Sequence, residues 1–536
     1  MTFRLPGECV LEGDLVRRHA RSSIRMRDAA REEEIWFGRL TALCAAIRSE
    51  AAGSESRGFQ TGGSRPDGPV SFDGLWRSVA RSVVASWSRR PEARAVVEGA
   101  AFDGLRDDLE RRLVTLTERA LWAQLHAFEA APGSRPQDIV GAFVEAQRAS
   151  GLAPLLSQCP VLGRLIGHVV VSAEDAWTEL LTRVAGDRAV LSTAFGVPPE
   201  AHLTHIEVGH GDPHEGGRTV AAVVFSSGHR LAYKPRPLEL DAAFQQLIAD
   251  LNDWSTCRPL RTVRTLVREG YGYAEWVPRG DEDDSTLPEA AEGSGRLLAL
   301  LHVLGGEDAH RSNVVRCGRD VMLVDGEMLL QSTGPAEERD VRRTGMLPRP
   351  LRSSEGETVD VSALGAMFAS VPAARRPSLI ESVCDGFRLQ GLALAACRDR
   401  LLAPGGSFEG LAACQQRVLL RATRVYAQLL FRATMPAALA EGEAFARALA
   451  PVARRYREDH ADAARTSDDL EVELRALENL DIPVFRRAVA AGTGLADARH
   501  RLARFDRQAI EAQIVRVRSS LAATLPPTGP PPPQTR

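Results

Sequence analysis

The chain has 536 residues, 44 % of them hydrophobic, enough for two or three packed units, and its formal net charge of −3 excludes a surface built to wrap a polyanion. Nucleic acid is therefore not an expected partner. The eight cysteines are scattered, with no Cys-x-x-Cys spacing, so no zinc is expected and the thiols are read as reduced and mostly buried. The N-terminus lacks the apolar core of a signal peptide, and no run of about 18 apolar residues occurs, which points to a cytoplasmic protein without a membrane span.

From about residue 20 to 195 the chain is rich in Ala, Leu and Arg with apolar spacings of three and four. This predicts a helical region, interrupted by a flexible loop in the Gly/Ser-rich stretch Gly53 to Gly68. Residues 1–200 are taken as this N-terminal region. The pattern changes near residue 203. Thr219 to Phe225, a Ser-Ser-Gly-His turn, and Arg230 to Lys234 read as a β-hairpin that opens a small β-containing lobe over 201–284. Helical periodicity returns over 285–520, broken by the apolar run Asp320-Val-Met-Leu-Val-Asp325, which reads as a buried strand ending in an acid. Residues 521–536, with their proline runs, read as a linker or a disordered end.

The strongest constellation is Gly306-Glu-Asp308-Ala-His310-Arg-Ser-Asn313, followed about a dozen residues later by Asp325-Gly-Glu327. Kinases use this order: an Asp takes the proton of the attacking hydroxyl, an Asn five positions on holds a metal ion, and a strand-end Asp holds Mg²⁺ on the phosphates. Asp308, Asn313 and Asp325 fit these roles, and Lys234, at the end of the hairpin, is placed to pair with the phosphates of ATP. No Gly-x-Gly-x-x-Gly precedes Lys234. Gly209-His-Gly211-Asp212-Pro-His214-Glu-Gly-Gly217-Arg218 is the substitute: its glycines permit close approach to phosphate, and Asp212, His214 and Arg218 offer an acid, a base and a cation. The bland alternative is that Asp308 and His310 cap a turn, Asp325 merely ends a strand, and the glycine stretch is a simple turn.

With the glycine stretch, the chain resembles the dehydratase domain of class II (LanM-type) lanthipeptide synthetases. Tyr233-Lys-Pro-Arg236, Asp241, Phe244, Tyr271-Gly-Tyr-Ala-Glu275, the Asp308/His310/Asn313 and Asp325/Glu327 pairings, Arg343-Thr-Gly-Met-Leu-Pro348, Arg417-Val-Leu-Leu-Arg-Ala-Thr423-x-x-Tyr426 and Leu480-Asp-Ile-Pro-Val-Phe485 occur in family order, covering at least residues 203 to 515.

The resemblance implies an α+β, lipid-kinase-like bilobal core. Using ATP and Mg²⁺, that core would phosphorylate Ser or Thr of a leader-bearing precursor peptide and then eliminate phosphate, giving dehydroalanine or dehydrobutyrine. It assigns phosphorylation to Lys234, Asp308, Asn313, Asp325 and Glu327, with the last two facing the metal, and places His310 in the same cluster. Elimination falls to His214, Arg417 and Thr423, with Asp212 in support and Gly211 and Arg218 beside the phosphates.

On an ideal helix, positions six apart point about 120° away from each other, so Arg417 and Thr423 require a break near Ala422, with Thr423 capping the next segment. Without the resemblance, Arg417, Arg421 and Arg424 read as a solvated basic stripe. Two departures stand out. Gly326 replaces the larger apolar residue usual between the two acids, and the chain ends before the cyclase domain of such synthetases, so a separate cyclase or other maturation enzyme would have to follow. The rival functions are a peptide or small-molecule kinase that stops after phosphorylation, and an inactive scaffold that binds the precursor.

Overall fold

The computed structural model describes residues 3–4, 10–11, 29–54, 72–97, 99–128, 136–280, 284–332, 339–352, 358–453 and 467–523. The loop expected at Gly53 to Gly68 and the proline-rich tail lie almost wholly outside them. The architecture is mixed α+β, mostly helix with small antiparallel sheets. Two compact units form, and each is made of two stretches of chain: residues 1–235 with 419–484, and residues 236–418 with 485–536.

In the first unit, α1 (Ala29–Ser54), α2 (Asp73–Trp87), α3 (Asp103–His126), α4 (Pro136–Ala149) and α5 (Pro160–Gly186) form the helical region that the apolar spacing predicts. Trp36, Leu40, Leu43 and Ile47 are buried along one face of α1 at that spacing. Gly167 of α5 lets the backbone of α1 come close, because a Cβ there would stand 2.5 Å from the Trp36 carbonyl oxygen. Trp87 packs edge-on against Trp177, with ring centroids 5.2 Å apart, and its indole N–H donates to Thr178 Oγ1. Glu174, nearly buried, is compensated by Arg39 at 2.6 Å and Arg90 at 2.7 Å.

Three antiparallel strands follow: β1 (Leu203–His214), β2 (Arg218–Phe225) and β3 (Arg230–Lys234). The predicted hairpin is β2–β3, with Ala221 opposite Tyr233. The glycine stretch before it is not a separate loop. Gly209 to His214 belong to β1, whose register on β2 slips between Glu207 and His210 and again before His214.

The second unit begins with α6 (Glu239–Trp254) and the hairpin β4 (Thr265–Arg268) to β5 (Tyr271–Glu275). Its centre is α7 (Leu287–Leu304), buried on nearly every face. Against it runs α8 (Arg376–Ala396), and the two meet at Gly295 and Gly386, where an added Cβ would strike the carbonyls of Val383 and Glu292. Between these helices in the sequence lies the hairpin β6 (Val314–Cys317) to β7 (Asp320–Leu323), so the apolar run ending at Asp325 is a strand that stops at Leu323.

Arg417 lies on β8 (Gln415–Val418), not on a helix. The chain then returns to the first unit as α9 (Thr423–Ala433) and α10 (Ser467–Glu478), and finishes in the second with β9 (Phe485–Ala488), which pairs with β8, and α11 (Arg507–Ala523). No described helix is long and apolar enough to cross a membrane.

Candidate active site

The second unit gathers Asp308, His310, Asn313, Asp325, Glu327 and Arg417. The β6–β7 ladder pairs Val314 with Leu323, and Val324 N–H donates to the Asn313 carbonyl at 2.8 Å, extending the pairing by one step. Asn313 and Asp325 therefore emerge side by side at one end of the hairpin. Asp308 leads into it through a tight turn with a left-handed backbone, φ +60°, which Asp tolerates better than most residues. The turn is closed from inside by Asn313 N–H to the His310 carbonyl at 2.9 Å and by the Asn313 side-chain amide to the Asp308 carbonyl at 2.9 Å.

Neighbouring backbone holds the turn from outside. Ala309 N–H donates to Thr344 O and Arg311 N–H to Val361 O, each at 2.9 Å. Gly345, φ +84°, lies so close that a Cβ would sit 3.0 Å from Ala309 N. This gives the Arg343-Thr-Gly motif a physical role: it supports the floor under Asp308.

The Asp308 side chain keeps 44 % exposure, opening on one side, yet burial on the others pushes its pKa up to about 6. His310, 3.7 Å away, and Arg417 pull against that rise, while Asp325 and Glu327 add to it. The result is a carboxylate tuned toward neutral pH, as a general base requires.

Behind Asp308 runs a chain of alternating charges. The Arg236 guanidinium meets Asp241 at 2.7 and 3.1 Å, Asp325 at 2.6 Å and Glu327 at 3.4 Å. Glu327 also receives Arg417 Nη1 at 2.6 Å, and Arg417 N–H donates to the Glu327 carbonyl at 2.9 Å. Burial opposes charge on Glu327, but Arg236 and Arg417 outweigh it and hold its carboxyl below the usual range. Arg417 is only 10 % exposed, so it is no part of a solvated stripe. Glu327, expected to face a metal, is thus engaged by two guanidiniums.

Among the described residues no three His, Cys, Asp or Glu side chains converge on a metal position. Magnesium asks for less: it is held by one or two carboxylates together with waters and substrate phosphates. Asn313 spends its amide N–H on Asp308 and keeps Oδ1 as an acceptor, while Arg236 and the Glu327 N–H engage only Oδ1 of Asp325. This all-oxygen pair at the hairpin end fits Mg²⁺. Gly326 has ordinary contact distance around an added Cβ, 3.5 Å or more, and its N–H donates to Asp241 at 3.1 Å, so the segment is pinned without a larger side chain.

The first unit holds Gly211, Asp212, His214, Arg218, Lys234 and Thr423. Pro213 to Gly217 is strapped to the Leu480–Pro483 segment: Ile482 N–H donates to the Pro213 carbonyl, and His214 Nδ1 lies 2.7 Å from the Ile482 carbonyl. A carbonyl only accepts, so Nδ1 carries the proton and Nε2 is the basic nitrogen of neutral His214. Gly216 and Gly217 N–H donate to the buried Asp481 carboxylate at 2.5 and 2.9 Å. Burial raises the Asp481 pKa against the pull of those two donors.

Asp212 is exposed and Lys234 is buried at the end of β3. Arg218 is a compensated cation, bound through Nε and Nη2 to Glu179 at 2.8 and 2.5 Å. A helix does begin at Thr423, but what precedes it is the strand β8 rather than the other half of a broken helix, and Ala422, not Thr423, is the cap. Arg421, expected as part of a solvated stripe, is buried against Glu473 at 2.9 Å, which also accepts from Tyr426 Oη.

Arg236, Asp481 and Gly345 carry no role in the sequence motifs alone, yet each lies inside one of them, Tyr233 to Arg236, Leu480 to Phe485 and Arg343 to Pro348, and that position is the signal for them. The profile of a domain of unknown function (DUF4135) matches residues 159–381 and 374–488, more than half of the chain and including every site residue named above. No curated protein matches the chain. On the extent of that match, the chain belongs to the DUF4135 family.

Proposed function

We propose that the chain dehydrates Ser and Thr residues of a ribosomally made precursor peptide, first phosphorylating the side chain with ATP and then eliminating phosphate, on a lipid-kinase-like core related to class II lanthipeptide synthetases. The observation that carries this reading is Asp308, with its pKa raised to about 6, in a braced turn beside Asn313 and Asp325. The motif order from Gly211 to Phe485 supports it.

Asp308 accepts the proton of the Ser or Thr hydroxyl as its oxygen attacks the γ-phosphorus, and ADP leaves with the electrons of the broken P–O bond. Asn313 and Asp325 would hold Mg²⁺, which when bound neutralises phosphate charge. Phosphorylation converts a poor leaving group into a good one. Removal of the α-proton then sends its electron pair into a Cα–Cβ double bond while phosphate departs from Cβ. Glu327 holds Arg417 in place, and Arg417, with a planar and permanent charge, stabilises the departing phosphate. The proton-moving role of His214, for which Nε2 is the basic nitrogen, rests on the resemblance. The roles of Lys234, Asp212, Gly211, Arg218 and Thr423 rest on the resemblance.

The Arg417–Glu327 pair favours a second reading, a kinase that stops after phosphorylation, because Arg417 is already compensated before any phosphate arrives. Asp308→Asn separates both from a scaffold. With the peptide, ATP and Mg²⁺, the wild type forms ADP in a peptide-dependent way and Asp308→Asn does not; equal ADP formation by the two overturns the assignment of Asp308.

A further inference from the structure

The first unit contains a cavity of about 510 Å³, within the size range of specific ligand sites, roughly 300–1,000 Å³. It is lined by α3, α5, α9, the end of β1 and the segment from Asn479 to Ile482. Most of its charges are already compensated. Asp108, nearly buried, takes Arg111 at 2.5 Å and Arg112 at 2.7 Å, and Asp481 is held by the Gly216 and Gly217 amides.

Two lining charges are neither ion-paired nor held by backbone amides among the described residues: the carboxylate of Asp212 and the guanidinium of Arg119. Arg119 donates to Thr434 Oγ1 at 3.2 Å and lies over the Phe431 ring, 4.1 Å from its centroid. Phe431 is 51 % exposed, unusual for a side chain of its size, and with Leu430, Leu116 and Val169 it gives the cavity an apolar wall. The cavity thus offers a held cation on an aromatic platform, an apolar wall and a free carboxylate.

We infer that this cavity binds a segment of the substrate peptide in which an acidic side chain neighbours an apolar one. The inference rests on the peptide-modifying reading above and gives it a recognition site. The segment's carboxylate pairs with Arg119, whose fork Phe431 and Thr434 hold in place. Its apolar side chain packs on Phe431 and Leu430, and Asp212 accepts from its backbone N–H groups. Because Asp212 precedes Pro213 and His214, a bound segment lies against the strap that holds the His214 Nδ1–Ile482 contact.

The test is fluorescence anisotropy of the precursor peptide encoded beside this chain's gene, labelled at its N-terminus, with full-length protein and no ATP. Phe431→Ala and Arg119→Gln are each expected to weaken binding about tenfold, a loss near 1.4 kcal/mol. The exposed Arg81, outside the cavity, serves as control, and Arg81→Gln is expected to bind like the wild type. Wild-type affinity should fall with added salt, and less steeply after Arg119→Gln. Because Phe431 is half exposed, its variant is expected to keep the wild-type melting temperature, so a lost affinity there is not lost folding. Unchanged affinity in both cavity variants, with the peptide still modified, overturns the inference and leaves the dehydratase reading standing. A wild-type chain that neither binds nor modifies the peptide overturns both.

Discussion

Asp308 sits in a turn with a left-handed backbone, and its partial burial works against an ionised carboxylate, so that the sign of its pKa shift has two consequences for the proposed proton acceptor. As the base of the proposed phosphorylation, Asp308 must be in its charged form. Phosphorylation should therefore rise with pH through about 6 and level off above it, and a rate that stays level between pH 5 and 7.5 would remove Asp308 as the base. Stability runs the other way. A carboxyl whose folded pKa is raised contributes stability below its unfolded value and loses it as pH rises through about 6. Asparagine removes that cost and suits φ +60° equally well. Asp308→Asn is accordingly expected to melt at or above the wild-type temperature at pH 7.5 while losing phosphorylation; a large drop in melting temperature would contradict this account of the turn.

Arg417 belongs to the same scale. Arg417→Ala breaks a largely buried charged hydrogen bond, but Glu327 keeps Arg236 nearby. The expected loss is about 1.5–3 kcal/mol of stability. Phosphorylated peptide should accumulate, seen as a gain of about 80 Da per site in intact mass. An Arg417→Ala protein that folds but does not phosphorylate would collapse the division of labour between Asp308 and Arg417.

Among elements, two local supports decide where the site residues stand. Gly345 braces the Asp308 turn, so Gly345→Ala combines a 3.0 Å approach to Ala309 N with the cost of φ +84° in a residue bearing Cβ, roughly 1–3 kcal/mol. Activity should fall more than stability, and full activity in this variant would show that the brace is dispensable. Asp481 holds the Gly216–Gly217 turn. Asp481→Ala strands two amides at about 1–3 kcal/mol each, which should appear as a lower urea midpoint with an unchanged slope.

What could be read from the chain at this scale follows the range of the forces. The β2–β3 hairpin is local, so alternation and a turn reveal it, and the run before Asp325 is apolar enough to be read as a strand. β8 has four residues and pairs with β9 about seventy positions later, so nothing within its own window marks it as a strand. The run of arginines from Arg417 to Arg424 imitates a helix surface, and only the tertiary partners Glu327 and Glu473 show that two of them are buried. The bulges that carry the glycine stretch into β1 are likewise set by pairing with β2.

For the whole molecule, each compact unit draws on two distant stretches of chain, an arrangement that hydrophobic periodicity does not encode. The residues expected to do chemistry divide accordingly. Asp308, Asn313, Asp325, Glu327 and Arg417 are brought together in one unit by the β6–β7 hairpin and the Arg236 bridge, while Asp212, His214 and the Asp481 strap cluster in the other. Motif order along the chain made most of these residues visible. It includes Arg236 in a motif but gives it no role, because a guanidinium that organises three carboxylates looks in sequence like any other arginine.

The central claim is tested most directly by intact mass of the precursor peptide after incubation with the full-length protein, ATP and Mg²⁺. The account predicts losses of about 18 Da per modified residue that require ATP, with gains of about 80 Da replacing them in Arg417→Ala. A peptide that binds the protein yet keeps its mass under these conditions would contradict it.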